Sequence, residues 1–261
     1  MFSPAHLRAP GRDRAILTGT LVAIAGLAWV ALWLWEGSPY GHYLHHEGAG
    51  GGGGLGANAS VVVGAVAFTL GWTLMIVAMM LPSSVPLVVT FGALVGRRAQ
   101  PARLVALLLL GYLLVWTAFG FAAWAADRAV HAAVQALPWL AAHPQLILAA
   151  TLLGAGLWQF SPLRDRCLDE CRSPLGFVLN RWRGVSERRE ALAMGLAHGA
   201  FCVGCCWSLM LVMFGVGISS LTAMLVLGGL TAIEKNLPQG RRLTRPLGVA
   251  LVVAALYTVA A

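Results

Sequence analysis

Charge is scarce in this chain. Only 11% of its 261 residues are Asp, Glu, Lys or Arg, against about 25% in soluble globular domains. With 59% hydrophobic residues, a free soluble domain would leave large apolar areas bare in water, and that class is excluded. Lysine is nearly missing: of 18 Lys and Arg residues one is a lysine, Lys235. The net charge of +8 does not point to nucleic acid, because the charges sit in short clusters between apolar runs. Cysteine is sparse, and Cys167, Cys171, Cys202, Cys205 and Cys206 all fall in segments read as lying within or inside a cytoplasmic membrane. A secreted disulfide framework is therefore excluded. The first apolar run lacks a small-residue cleavage site, so it reads as a span rather than a signal peptide. The glycine tract over residues 48–54 is not followed by Lys and Ser or Thr, so it is no phosphate-binding loop. No Gly-x-Ser-x-Gly and no pair of intramembrane carboxylates is present. These omissions favour binding over catalysis.

Long apolar runs are what the chain does contain. A bilayer core of roughly 30 Å needs about 20 apolar residues in a helix. Such runs occur near 15–35, 61–81 (with a continuation to 95), 103–126, 144–160, 191–216, 219–234 and 246–261. The expectation is one all-α membrane domain over 1–261, a polytopic helix bundle with about seven transmembrane helices (six to eight). Pro82 and Pro86 mark a kink or end in the second run. Arginines set the orientation. They cluster before the first run, between the second and third, between the fourth and fifth, and between the sixth and seventh; Arg128 alone falls in the other set of loops. This places the amino terminus in the cytoplasm and the carboxyl terminus outside, with the chain multi-pass in the bacterial inner (cytoplasmic) membrane and the lipid bilayer as its first partner.

Two connections stand out. Residues 36–59 read as a flexible outer loop holding His42, His45 and His46 beside the glycine tract; it either collects metal or is an unstructured linker. A second outer loop, about 127–143, carries His131 and His143. Residues 162–190 read as a cytoplasmic loop. It begins with Cys167-x-x-x-Cys171, a pair one helical turn apart that either handles metal or supplies free structural thiols. Leu175, Val178, Leu179 and Trp182 then recur at helical spacing among arginines, predicting a short basic interfacial helix near 175–183.

The fifth run carries the chemistry. It reads Met194-x-x-x-His198-x-x-x-Cys202-x-Gly204-Cys205-Cys206-Trp207-x-x-Met210. At 100° per residue, His198, Cys202 and Cys205 fall within about 60° of one another. Thiolates, thioethers and imidazole are ligands for Cu(I), and thiolates with imidazole also suit Zn(II). Cys205 and Cys206 diverge by about 100° on an ideal helix, so a distortion at Gly204 or ligands from another helix are needed. Met75 and Met79 in the second run supply a thioether face, although Met and Cys also serve as ordinary packing residues in membrane helices. Glu234 and Lys235 end the sixth run and read as a structural anchor, with a ligand or proton-carrying role for Glu234 the alternative.

Together, Trp72-x-x-Met75-x-x-x-Met79-Met80-x-Pro82, Cys167-x-x-x-Cys171-Arg-x-Pro174, the Cys202-x-Gly-Cys205-Cys206-Trp207 helix and Glu234-Lys235 resemble a family of bacterial integral membrane proteins described as predicted metal-binding. The resemblance covers about residues 60–240 and implies a membrane metal site. The leading expectation is binding of copper as Cu(I), with zinc as the lesser choice, between the second and fifth runs. His198, Cys202, Cys205 and Cys206 are the primary ligands expected; Met75, Met79 and Met210 complete the site, and Cys167 and Cys171 relay metal to it. Metal would be transported, or delivered to a membrane or periplasmic metalloprotein. An accessory subunit of a larger membrane complex is the second expectation, and a membrane thiol redox protein the third.

Overall fold

Helices form wherever the apolar runs predict them, and prolines decide several of their ends. The computed structural model describes residues 11–36, 57–216 and 221–260. Within these, α1 spans Gly11–Glu36, α2 Ala57–Met79, α3 Leu81–Val95 and α4 Pro101–Ala136. A single turn, α5 (Pro138–Ala141), leads to α6 (Gln145–Trp158), α7 (Pro162–Arg172) and α8 (Pro174–Arg181). The chain closes with α9 (Glu187–Val216), α10 (Leu221–Asn236), a 3-10 turn at Pro238–Gly240 and α11 (Arg241–Ala260). No strand occurs among the described residues, and the all-α expectation holds.

Five helices are long and apolar enough to cross a membrane: α1, α2, α4, α9 and the segment Pro238–Ala260. A sixth arises if α6 and α7, bent by 66° at their junction, count as one broken span. The expectation of about seven counted α6 and α10 as full spans. With 14 and 16 residues they rise only about 21 and 24 Å, less than a bilayer core.

The break between α2 and α3 has a local cause. Pro82 has no N–H to give the carbonyl of Ala78, four residues earlier. The indole of Trp29 on α1 donates to that carbonyl instead, at 3.1 Å. Ser83 and Ser84 return their hydroxyls to the carbonyl of Met80 at 2.8 and 3.3 Å. The freed backbone group is thus satisfied away from water, as a membrane interior requires, and the same bond ties α1 to α2.

Glycines set how closely the helices approach. A Cβ on Gly120 of α4 would lie 2.2 Å from the indole of Trp72, and a Cβ on Gly195 of α9 would lie 2.0 Å from the carbonyl of Leu108. Trp72 therefore sits in a notch of α4, where its indole N–H donates to the Trp116 carbonyl at 3.0 Å. Small residues at contacts are the usual route to close helix packing in lipid. On this basis α9 lies centrally, packed most extensively on α4 and also on α7, α6 and α10. The outward faces of the bundle remain apolar, with Leu27, Trp33, Val62, Leu70, Leu114, Phe121, Val253 and Leu256 all exposed.

Several connections differ from expectation. Residues 127–136 continue α4 as helix rather than forming an outer loop; the rings of His131 and His143 bond the carbonyls of Asp127 and Trp139. The predicted interfacial helix is present as α8, but it is docked on the bundle. Phe177 and Val178 are buried, Trp182 meets Phe91 edge-on at 5.1 Å between ring centroids, and Leu175 and Leu179 alone of the predicted stripe stay exposed. Residues 162–190 are thus mostly helix. His42, His45 and His46 lie outside the described residues.

Candidate metal centre

The thiols gather because α7 folds back against α9. A Cβ on Gly204 would come 2.6 Å from the Cys167 sulfur, so only glycine leaves room for that side chain. Of the two alternatives, a distortion at Gly204 or ligands from another helix, the first does not occur: α9 runs unbroken from Glu187 to Val216, and the Gly204 carbonyl accepts a bond from the Trp158 indole at 3.1 Å. Cys167, Cys202, Cys205 and Cys206 are all buried in one core, and Cys171 packs against it half-buried. Cysteines 35 residues apart in sequence, Cys167 and Cys202, therefore belong to a single cluster. All five are free thiols.

On α9 the thiols of Cys205 and Cys206 turn back on the same carbonyl, that of Cys202, at 3.1 and 3.0 Å. This offsets the divergence expected of neighbouring helical residues. The Cys205 side chain interacts with those of Cys171, Cys202 and Cys206. The thiols are neighbours, yet among the described residues no three His, Cys, Asp or Glu side chains are gathered as a ready metal-ion site.

Two residues outside the expected ligand set reach the sulfurs. The hydroxyl of Tyr112, on α4, lies 3.3 Å from the Cys202 sulfur. The ammonium of Lys235, at the end of α10, donates to the same sulfur at 2.9 Å and lies 3.9 Å from that of Cys206. Lys235 is only 5% exposed, and sulfur atoms are the hydrogen-bond acceptors its ammonium meets.

Its neighbour Glu234 is directed elsewhere. Glu234 pairs with Arg164 of α7 at 2.6 Å, both side chains being buried. Thr244 of α11 accepts from Arg164 at 3.1 Å and donates to Glu234 at 3.2 Å. Arg172 also bonds the Glu234 carbonyl and donates to that of Pro238 at 3.2 Å. Glu234 is thus the expected anchor, for α7 specifically, whereas Lys235 belongs to the thiols.

His198 is buried but one step removed. Its Nε2 pairs with the Ser84 hydroxyl of α3 at 3.1 Å, and its ring stacks on Tyr112 at 5.4 Å and meets Phe177 edge-on at 5.6 Å. Its Nδ1 is buried without a hydrogen-bond partner. Met75, Met79 and Met210 share the core of the cysteines; Met79 also packs against Gly228 of α10. The expected pairing of the second and fifth runs is modified, because α9 leans chiefly on α4 and the methionines of α2 reach the cysteines only through this shared core.

No curated protein and no solved structure matches the chain. A family model, PpoB2, does match, over residues 69–258. That stretch begins within α2, ends two residues short of the end of α11, and contains every cysteine and methionine just described. The match takes in most of the chain, which belongs to the family described as "PpoB2: Copper chaperone".

Proposed function

We propose that this protein is a multi-pass membrane copper chaperone that holds Cu(I) on two thiolates drawn from Cys171, Cys202, Cys205 and Cys206, and delivers it to a partner metalloprotein. The observation that carries this reading is the convergence of α7 and α9, which brings four cysteines into one buried core with Cys171 packed against it. Copper here is cargo. Thiolates suit Cu(I) and Zn(II) alike, but structural Zn(II) almost always takes four ligands in a tetrahedron, and among the described residues no three His, Cys, Asp or Glu side chains are gathered to supply them. Thioethers from Met75, Met79 and Met210 line the same core and are available as further soft contacts. His198, with its unpartnered Nδ1, is available if its ring leaves Ser84.

Charge supports the same choice. A Cu(I) ion on two thiolates carries one net negative charge, and the Lys235 ammonium beside Cys202 offsets it in a site with little water. Cys171 is the outermost of the four thiols, half-buried where the other three are buried, and it is the natural station for metal entering or leaving. Delivery rather than permanent storage is supported by the family description. The bacterial inner membrane, expected from the sequence, is the compartment consistent with the apolar exterior.

Elemental analysis of detergent-purified protein after anaerobic Cu(I) loading tests the reading. The expected result is about one copper per chain, lost when Cys202, Cys205 and Cys206 are together replaced by Ser. Wild type that stays metal-free after loading would overturn it and promote the accessory-subunit reading.

A further inference from the structure

At the arginine-rich end of the bundle, far from the thiols in sequence, a cavity of about 690 Å³ lies between α1, α3 and α4. Its walls are apolar, built by Val89, Val105 and Leu109 among others, and its rim carries Asp13, Arg14 and Arg97. A smaller cavity of about 200 Å³ borders it, sharing Arg14 and Val89 and reaching Leu175 of α8. Among the described residues, the ion pairs engage Arg98, Arg164, Arg181 and Arg241 but neither Arg14 nor Arg97. Two arginines and one aspartate leave a charge of +1 at the mouth of an oily groove.

This combination specifies a ligand with two unlike ends. Arg14 and Arg97 are exposed at the edge of the apolar groove, where their guanidinium groups can receive an anion. Basic pockets between membrane helices are suited to lipid head groups, and Arg is the side chain best shaped to hold a phosphate. The apolar walls need a hydrocarbon partner, and the cavity volume falls within the range typical of small-molecule sites. We propose that this cavity binds one anionic phospholipid, its phosphate held between Arg14 and Arg97 and an acyl chain lying along Val89, Val105 and Leu109. Asp13 keeps the excess charge at one, which matches a singly negative head group such as phosphatidylglycerol. The lipid would fasten α1 to the α3–α4 corner, where direct contact leaves a void. The proposal rests on the membrane-embedded reading and is independent of copper.

The test uses the full-length protein, stripped of lipid and then exposed to micelles doped with phosphatidylglycerol or phosphatidylcholine, with native mass spectrometry as the readout. Two variants are compared, Arg14→Gln with Arg97→Gln, and Ala106→Trp, which fills the groove from its open side. Copper stoichiometry and melting temperature check that each stays folded. Wild type is expected to retain one phosphatidylglycerol in preference to phosphatidylcholine. The double Gln variant should retain about thirtyfold less of it, the factor expected for two interfacial arginines, and Ala106→Trp should retain neither lipid. Equal retention of the two lipids by wild type would overturn the proposal, as would unchanged phosphatidylglycerol retention in either variant. Displacement of the bound lipid by excess inorganic phosphate would overturn it too, assigning the rim to free phosphate.

Discussion

At the scale of single residues, Lys235 decides most. It is the only lysine in the chain, it is buried, and its ammonium rests on two sulfurs. Burying a charge is unfavourable unless it is paired, so this residue calls for negative charge on the thiols, which the proposed copper thiolate would supply. With Zn(II) the balance changes: two thiolates already neutralise the ion, and the ammonium would remain as an uncompensated buried charge. Lys235 should therefore favour a monovalent ion. Replacing Lys235 by Met keeps the bulk and removes the charge. Cu(I) affinity should fall about 10- to 100-fold, the worth of one hydrogen bond to a charged group, while Zn(II) affinity holds or rises. Competition against a chelator for each metal measures both, and an equal fall for both metals would remove Lys235 from the selectivity argument. Lys235 was visible in the sequence as an ionisable residue at the end of a span, but not its partner. Tyr112 gave no signal, because an aromatic residue in the long apolar run of α4 reads as ordinary packing.

Among the elements, the pairing of α7 with α9 creates the site, and a buried ion pair fixes it. Arg164 of α7 and Glu234 of α10 are 0% and 2% exposed, and Thr244 of α11 bonds to both. Removing one partner of such a pair leaves the other charged and buried, a loss of about 3–5 kcal/mol. Glu234→Ala should lower the melting temperature markedly and also weaken copper binding, because α7 carries Cys167 and Cys171. Glu234→Gln, which still accepts a hydrogen bond, should lose less. Unchanged melting of Glu234→Ala in detergent would show that the pair does not hold α7. The helices themselves were legible, since apolar runs near 20 residues and the prolines at 82 and 86 announce them. The docking of α7 was not. It depends on a notch at Gly204 that only the facing helix reveals, and on an arginine that looked like one more basic loop residue. For the same reason α8 was legible as a helix while its buried face was not: Phe177 and Trp182 find partners on α3 and α9 that no local period encodes.

For the whole molecule, the distribution of arginine predicts how the bundle sits in the membrane. Contacts across the fold tie the basic segments to one end. Arg98 after α3 pairs with Glu187 at the start of α9 at 2.9 Å. Arg241 of α11 pairs with Asp169 of α7 at 3.1 Å, and Arg181 of α8 pairs with Glu170 at 3.2 Å. Arg14 and Arg97 rim one cavity. Surface pairs of this kind add little stability, but they show that segments far apart in sequence share an end. Arg128 lies 25 residues beyond Arg103 on the same helix, which at 1.5 Å per residue is about 38 Å away, enough to cross a bilayer. The excess of basic residues belongs on the cytoplasmic side. A topology reporter inserted after Arg98 or Val185 should therefore report the cytoplasm, and one inserted near Ala142, beyond the far end of α4, should report the outside. The result also gives the face on which the proposed entry station Cys171 would lie, because Cys171 on α7 is next to Asp169 and Glu170, which pair with Arg241 and Arg181 of the basic end. If the reporters at Val185 and Ala142 fall on one side, α6 and α7 do not together cross the membrane, and the placement of the basic segments at one cytoplasmic end fails.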